Sequence, residues 1–167
     1  VWAGLAEAVR QGYTIISAEP SAVLSLKREY LHLLGDDSDA QLVSENVMEA
    51  CHYLWRSHQK GRLQLDLKPL DMVVGYHAPC HLKALEVGTP SVNLLGLIPG
   101  LRVKQVEKGC SGAAGLFGFQ RKNYRMSLRI GLPLITELRS AGFQAGVTEC
   151  STCRLQLEQG PAIPTLH

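Results

Sequence analysis

Cysteines stand at positions 51, 80, 110, 150 and 153, and they are the residues with the clearest chemistry to offer. Cys150 and Cys153 form a C-x-x-C pair, a spacing that brings both sulfurs within reach of one metal centre. With Cys80 and Cys110 they make four thiols, the tetrahedral sulfur set that holds a zinc ion or a [4Fe–4S] cluster. Spacing alone does not separate the two metals. Gly109, Gly112, Gly115 and Gly118 surround and follow Cys110. They suit backbone wrapped closely round a bulky inorganic group with amide N–H directed at sulfur, and they equally suit an ordinary flexible loop. They do not form the dinucleotide fingerprint G-x-G-x-x-G.

The remaining reactive residues have plainer readings. Cys51 falls on the apolar stripe of a helix and reads as a core residue. His77 and His81 bracket Cys80, where they orient ligands, sit on the surface or serve as ligands themselves. Lys83, Arg121, Lys122 and Arg125 form a solvated basic face that could also dock an acidic partner. A thioredoxin-like dithiol at Cys150/Cys153 would leave Cys80 and Cys110 unexplained.

Composition narrows the classes. The 167 residues are 46% hydrophobic and 19% charged, enough to bury a core and too apolar for a disordered chain. Seventeen basic against fifteen acidic side chains exclude a nucleic-acid binder that works by neutralising phosphates. An odd, sparse set of cysteines excludes a disulfide-stapled secreted scaffold. No apolar run approaches the roughly 20 residues of a membrane-spanning helix. The opening Val1-Trp2-Ala3-Gly4 has neither an initiator Met nor a signal-peptide layout, so the expectation is a piece of a longer chain from a reducing, cytoplasmic setting.

The thiols need elements to hold them. Val1 to Gln11 reads as a helix ending at Gly12, and Tyr13 to Ser17 as a buried strand. A helix carrying Leu24, Leu26, Tyr30, Leu31 and Leu34 follows, stopped by Gly35. Val43, Val47, Cys51, Leu54 and Trp55 predict one helix over Ala40–Gln59. Met72–Tyr76 and Leu101–Val106 read as strands, with short helices around Leu82–Glu86 and Val92–Leu97. Tyr124–Ala141 reads as a helix bent at Pro133. Gln144–Val147 is the last strand, Cys150 opens the last helix, and the prolines of Pro161-Ala162-Ile163-Pro164 cannot continue it. Each of Cys80, Cys110 and the Cys150/Cys153 pair follows a strand and precedes a helix or a glycine-rich loop. The predicted fold is α/β, a mainly parallel sheet with flanking helices. Loops at the carboxyl ends of parallel strands share one edge, so the thiols should converge there.

An internal match is found at an offset of 130. Gly12-Tyr13 falls on Gly142-Phe143, Glu7 on Glu137 and Glu19 on Glu149. This predicts a partial and a complete copy of a duplicated repeat. The expected domains are 1–60 (the end of a degenerate, truncated first repeat and a connecting helix), 61–160 (a second cysteine-rich repeat) and 161–167 (a tail).

The segments HAPCHLKALEVG, EKGCSGAAGLFGF and TECSTCRLQLEQG together resemble the cysteine-rich repeat family known for its Cys-Cys-Gly motif. That family occurs in a subunit of anaerobic glycerol-3-phosphate dehydrogenase, in a subunit of heterodisulfide reductase and in the carboxyl-terminal halves of FAD-linked oxidases. SAEPSAVLSLKREYLHLL is similar to the end of the preceding repeat in the fused oxidases. The resemblance implies an iron–sulfur electron-transfer module of an FAD-linked oxidoreductase, carrying electrons from flavin towards quinone or another acceptor. Cys80, Cys110, Cys150 and Cys153 would ligate a [4Fe–4S] cluster, with Gly109, Ser111, Gly112 and Gly115 around it. Ser111 stands where the family has its second adjacent cysteine, so the full five-cysteine set of the noncubane cluster is not met. The alternative is a structural zinc or metal-free assembly domain. The implied partners are a flavin-containing domain or subunit, which carries the FAD, and a membrane-associated acceptor at the inner face. A second copy of the fragment is a further expected partner. No catalysis is expected of the fragment alone.

Overall fold

The computed structural model describes residues 2–159 and 163–167. The chain divides into two compact units: Val1–Gln64 with His81–Pro90, and Leu65–Cys80 with Ser91–His167.

The first unit opens with α1 (Trp2–Arg10), then β1 (Ile15–Ser17). A helical stretch follows, made of α2 (Pro20–Leu24), a π-helical turn over Ser25–Glu29, and α3 (Tyr30–Leu34). Proline at the first helical position starts it without losing a needed N–H. Gly35, at φ 62°, ends it. The π turn is tied down by Ser44, whose hydroxyl donates to the Lys27 carbonyl at 2.9 Å while Lys27 Nζ donates to the Ser44 carbonyl.

The predicted helix over Ala40–Gln59 is in fact two. α4 (Ser38–Asn46), capped by Asp37, gives way to β2 (Val47–Glu49), and α5 (Ala50–Gln59) restarts at once. Val47 therefore sits on a strand, where it is buried and paired with Ile15. Glu49 makes the restart possible: its carboxylate accepts from the Cys51 and His52 amides at 3.0 and 2.8 Å. Stripe residues four apart read alike whether or not one of them, here Val47, lies on a strand paired with a distant one. Cys51 comes out half-buried, not in the core.

β1 and β2 form a two-stranded parallel sheet. Such a sheet has little to bury its outer positions, and the expected buried strand is correspondingly half-exposed. Tyr13 is 66% exposed and Ile16 45%. The core of this unit is Val23, Val47 and Leu85, joined by Ile15, Leu24, Leu26 and Val87.

The second unit is built on β3 (Met72–Tyr76). Cys80 starts α6 (Cys80–Ala84), whose other residues belong to the first unit, and α7 (Pro90–Leu95) precedes β4 (Leu101–Gln105). α8 (Tyr124–Ser140), β5 (Ala145–Val147), α9 (Ser151–Glu158) and β6 (Thr165–Leu166) complete it. All pairings are parallel, in the order β4-β3-β5-β6. The fold is α/β with parallel sheets flanked by helices, as the alternation predicts.

α8 runs through Pro133 as one helix and buries Ser127, Gly131, Leu134, Ile135 and Leu138. Of these, Leu134, Ile135 and Leu138 join Val106, Phe143 and Leu157 as the core. Gly75 in β3 lets them come close: a Cβ there would lie 2.5 Å from Leu138 and 2.8 Å from Phe143. β6 was not foreseen, because two residues carry no period. Pro161 and Ala162 lie outside the described residues; Ile163 and Pro164 lead into β6.

The segments matched at an offset of 130 share their local order. β1 and β5 occupy equivalent positions, and Gly12 and Gly142 both turn with positive φ, at 90° and 73°. The likeness covers this one segment.

Candidate metal centre

Three loops leave the carboxyl ends of β4, β3 and β5, adjacent strands of one parallel sheet. Register aligns Tyr76 with Gln105 on one side and with Val147 on the other, so the strands end level. Backbone bonds extend the ladder one step further, from His77 N to Val147 O and from Val106 N to Tyr76 O. The sequence expectation that the cysteine loops share an edge follows directly from this order.

Cys150 is the N-cap of α9. Its sulfur accepts from the Cys153 amide at 3.5 Å and lies 3.1 Å from the Thr152 hydroxyl. The C-x-x-C spacing thus works as a helix cap, with sulfur in the role usually taken by oxygen. Both thiols are withdrawn from water, Cys150 at 9% exposure and Cys153 at 6%. Ser111 is buried too, and its hydroxyl donates to Cys153 Sγ at 3.2 Å. Cys110 is exposed; its sulfur accepts from the Gly112 amide at 3.2 Å.

The pair shares its proton unequally. The Cys153 thiol, hydrogen-bonded to Cys150, is the largest influence drawing the Cys150 pKa down to about 5; Thr152 and backbone amides assist, against burial. Cys153 moves the other way, well above the ordinary thiol range. Its bond to Cys150 and its burial are the chief causes, and the Cys150 and Cys110 sulfurs add repulsion, while the Ser111 hydroxyl opposes them. The two shifts are opposed, favouring the thiolate at Cys150 and the thiol at Cys153.

The glycine loop is fixed by close approach as well as by turning. Gly109, Gly112 and Gly115 all have positive φ. Only Gly112 among them is also pressed against a neighbour: a Cβ there would meet the Ser127 carbonyl at 2.1 Å. On the other side of the crossing, a Cβ on Gly131 would meet the Ser111 carbonyl at 2.1 Å. The Ser127 hydroxyl donates to the Gly112 carbonyl at 2.8 Å, and Gln156 Nε2 donates to Ser127 at 3.1 Å. These bonds join the loop of Cys110 to the helix of Cys153. Ser127 and Gln156 were missed from the sequence. A small pair at i and i+4, Ser127 and Gly131, on a helix face otherwise apolar was the available signal.

Glu149 precedes the pair and is buried, accepting from the Tyr76 hydroxyl at 2.8 Å. His77 is buried beside β3, and Cys80 is exposed at the start of α6.

The donor chemistry suits a thiophilic metal: two buried sulfurs side by side, one of them favoured as thiolate by its hydrogen bonds. Among the described residues no three His, Cys, Asp or Glu side chains are grouped as a preformed metal set. The pair and its serine are thus assembled, while Cys80 and Cys110 face solvent.

Residues 74–158, which contain all four of these cysteines, match the cysteine-rich domain family CCG. The chain belongs to that family. A subunit of the anaerobic glycerol-3-phosphate dehydrogenase of Escherichia coli (strain K12) is 32% identical over 157 residues, covering 94% of this chain and 39% of that protein. A subunit of the fumarate reductase (CoM/CoB) of Methanothermobacter marburgensis is 30% identical over 153 residues, covering 89% of this chain and 28% of that protein. This CCG chain therefore spans about two fifths of the first relative and under a third of the second. No described helix is long and apolar enough to cross a membrane.

Proposed function

We propose that this CCG chain is an iron–sulfur electron-transfer module of an FAD-linked oxidoreductase of the glycerol-3-phosphate or 2-hydroxy acid dehydrogenase type. The reading rests on one observation above all: a buried Cys150/Cys153 pair at the carboxyl edge of a parallel sheet inside a CCG match. Cys80, Cys110, Cys150 and Cys153 would hold a [4Fe–4S] cluster, which when bound supplies a one-electron relay. The residues around it do the protein's share. Ser111 donates a hydrogen bond to sulfur, and Gly109, Gly112 and Gly115 hold the backbone turn round Cys110. Hydrogen bonds to sulfur and exclusion of water are the protein's means of setting a cluster's potential.

In this reading the FAD sits on another domain or subunit, and electrons pass on to quinone or another acceptor at the inner face of the membrane. Residues 61–160 form a cysteine-rich repeat, and 1–60 the end of an earlier, degenerate copy with a connecting helix, carrying Pro20-Ser21-Ala22-Val23 where the later copy has Cys150-Ser151-Thr152-Cys153. The shared turn and strand at an offset of 130 support that history. The exposed Tyr13 and Ile16 beside a two-stranded sheet favour self-association of the isolated chain.

Anaerobic reconstitution with iron and sulfide tests the reading. Binding of about four irons per chain with absorption around 400 nm is expected. Iron below about a tenth of an equivalent, with zinc binding near one, would overturn it in favour of a structural zinc module.

A further inference from the structure

An open cavity of about 430 Å³ lies wholly within the first unit, between the loop before β1, strand β2 and the end of α5. Its charge is one-sided. Arg56, Lys60 and Arg62 line it, and no carboxylate does. The described residues hold ion pairs elsewhere, yet none of these three cations has an acidic partner among them.

Cations at a helix end are ordinarily explained by the carbonyls left open there. That explanation is weakened here, because α5 closes on itself. The amides of Lys60, Gly61 and Arg62 bond to the carbonyls of Arg56, His58 and Ser57, with Gly61 at φ 66°. This is the backbone closure that satisfies a helix C-terminus without side chains. Three positive groups are thus left facing a space of ligand size.

The rest of the lining fixes what else the ligand carries. Met48, Leu54 and the Tyr53 ring supply an apolar wall, and Thr14 and Ser57 supply hydroxyls. Three cations suit a group bearing close to two negative charges at neutral pH, which a phosphate monoester does and a single carboxylate does not. We infer that this cavity binds a small phosphate monoester with an apolar body, separately from any metal chemistry at the cysteines.

Phenyl phosphate is the probe, titrated into the whole chain in low-salt Tris buffer at pH 7.5 and followed by calorimetry and by amide chemical shifts. Saturable binding with a Kd of about 1 mM or tighter is expected. Shifts should centre on Tyr53, Ser57 and Lys60. Inorganic phosphate should bind at least about fivefold more weakly, and phenol should not saturate. Replacing Lys60→Gln and Arg62→Gln together should weaken phenyl phosphate at least about tenfold. Both residues are exposed, so the fold is not at stake. Absence of saturation by about 10 mM, an unchanged Kd in the double variant, or phenol binding as well as the ester would each overturn the inference.

Discussion

The lowered pKa of Cys150 has consequences that can be read without any metal. In the metal-free, reduced chain, alkylation of Cys150 should follow a titration centred near pH 5, because the thiolate is the nucleophile. Cys153→Ser weakens the largest cause of that shift, so the midpoint should move up towards the ordinary thiol range. Peptide mapping after timed iodoacetamide labelling measures both. His52 makes a second pH prediction. Burial first, then Arg56 and Lys27, hold its pKa below the ordinary value, so folding disfavours its protonated form. Its contribution is complete above the unfolded pKa, about 6.5, and falls as the pH drops through the folded value. Chemical denaturation at pH 7.5 and pH 5.0 should show a smaller acid loss for His52→Gln than for the natural chain.

Elements place these residues, and here the sequence was informative in proportion to how local the cause was. The strand–loop–helix order around Cys80 and Cys150 was legible because apolar runs, glycines and the cap at Cys150 are all short-range signals. The break at Val47–Glu49 was not, since the force behind it is pairing with Ile15–Ser17 about thirty residues earlier. The crossing of α8 with the glycine loop was half legible: glycines were noted at 109, 112 and 115, while their partners Ser127 and Gly131 looked like ordinary helix residues. That crossing gives a sharp stability prediction. Gly131→Ala puts a methyl 2.1 Å from the Ser111 carbonyl, where backbone must yield. A loss of about 1–3 kcal/mol or more is expected in urea denaturation. Ser127→Ala, which deprives Gly112 O and Gln156 Nε2 of a partner, should cost about 1–3 kcal/mol.

At the scale of the whole molecule, two units follow two different rules. The second has a four-stranded parallel sheet with its own core, and its carboxyl edge carries the cysteine loops. The first has a two-stranded sheet and an exposed Tyr13 and Ile16, so light scattering of the isolated chain should show association that falls in the Ile16→Lys variant. The sequence placed Cys150 and Cys153 together because a single turn separates them. It put Cys80 and Cys110 beside them through the logic of parallel sheets, and the strand order supplies the shared edge that this logic needs. Whether those two exposed sulfurs close over a cluster is a matter of loading the site. Electron paramagnetic resonance of the anaerobically reconstituted, dithionite-reduced chain tests this most directly. A one-electron iron–sulfur signal, lost in both Cys150→Ala and Cys110→Ala, is the predicted result. A chain that stays silent and iron-free while taking up zinc, or a signal unchanged by either substitution, would contradict the account.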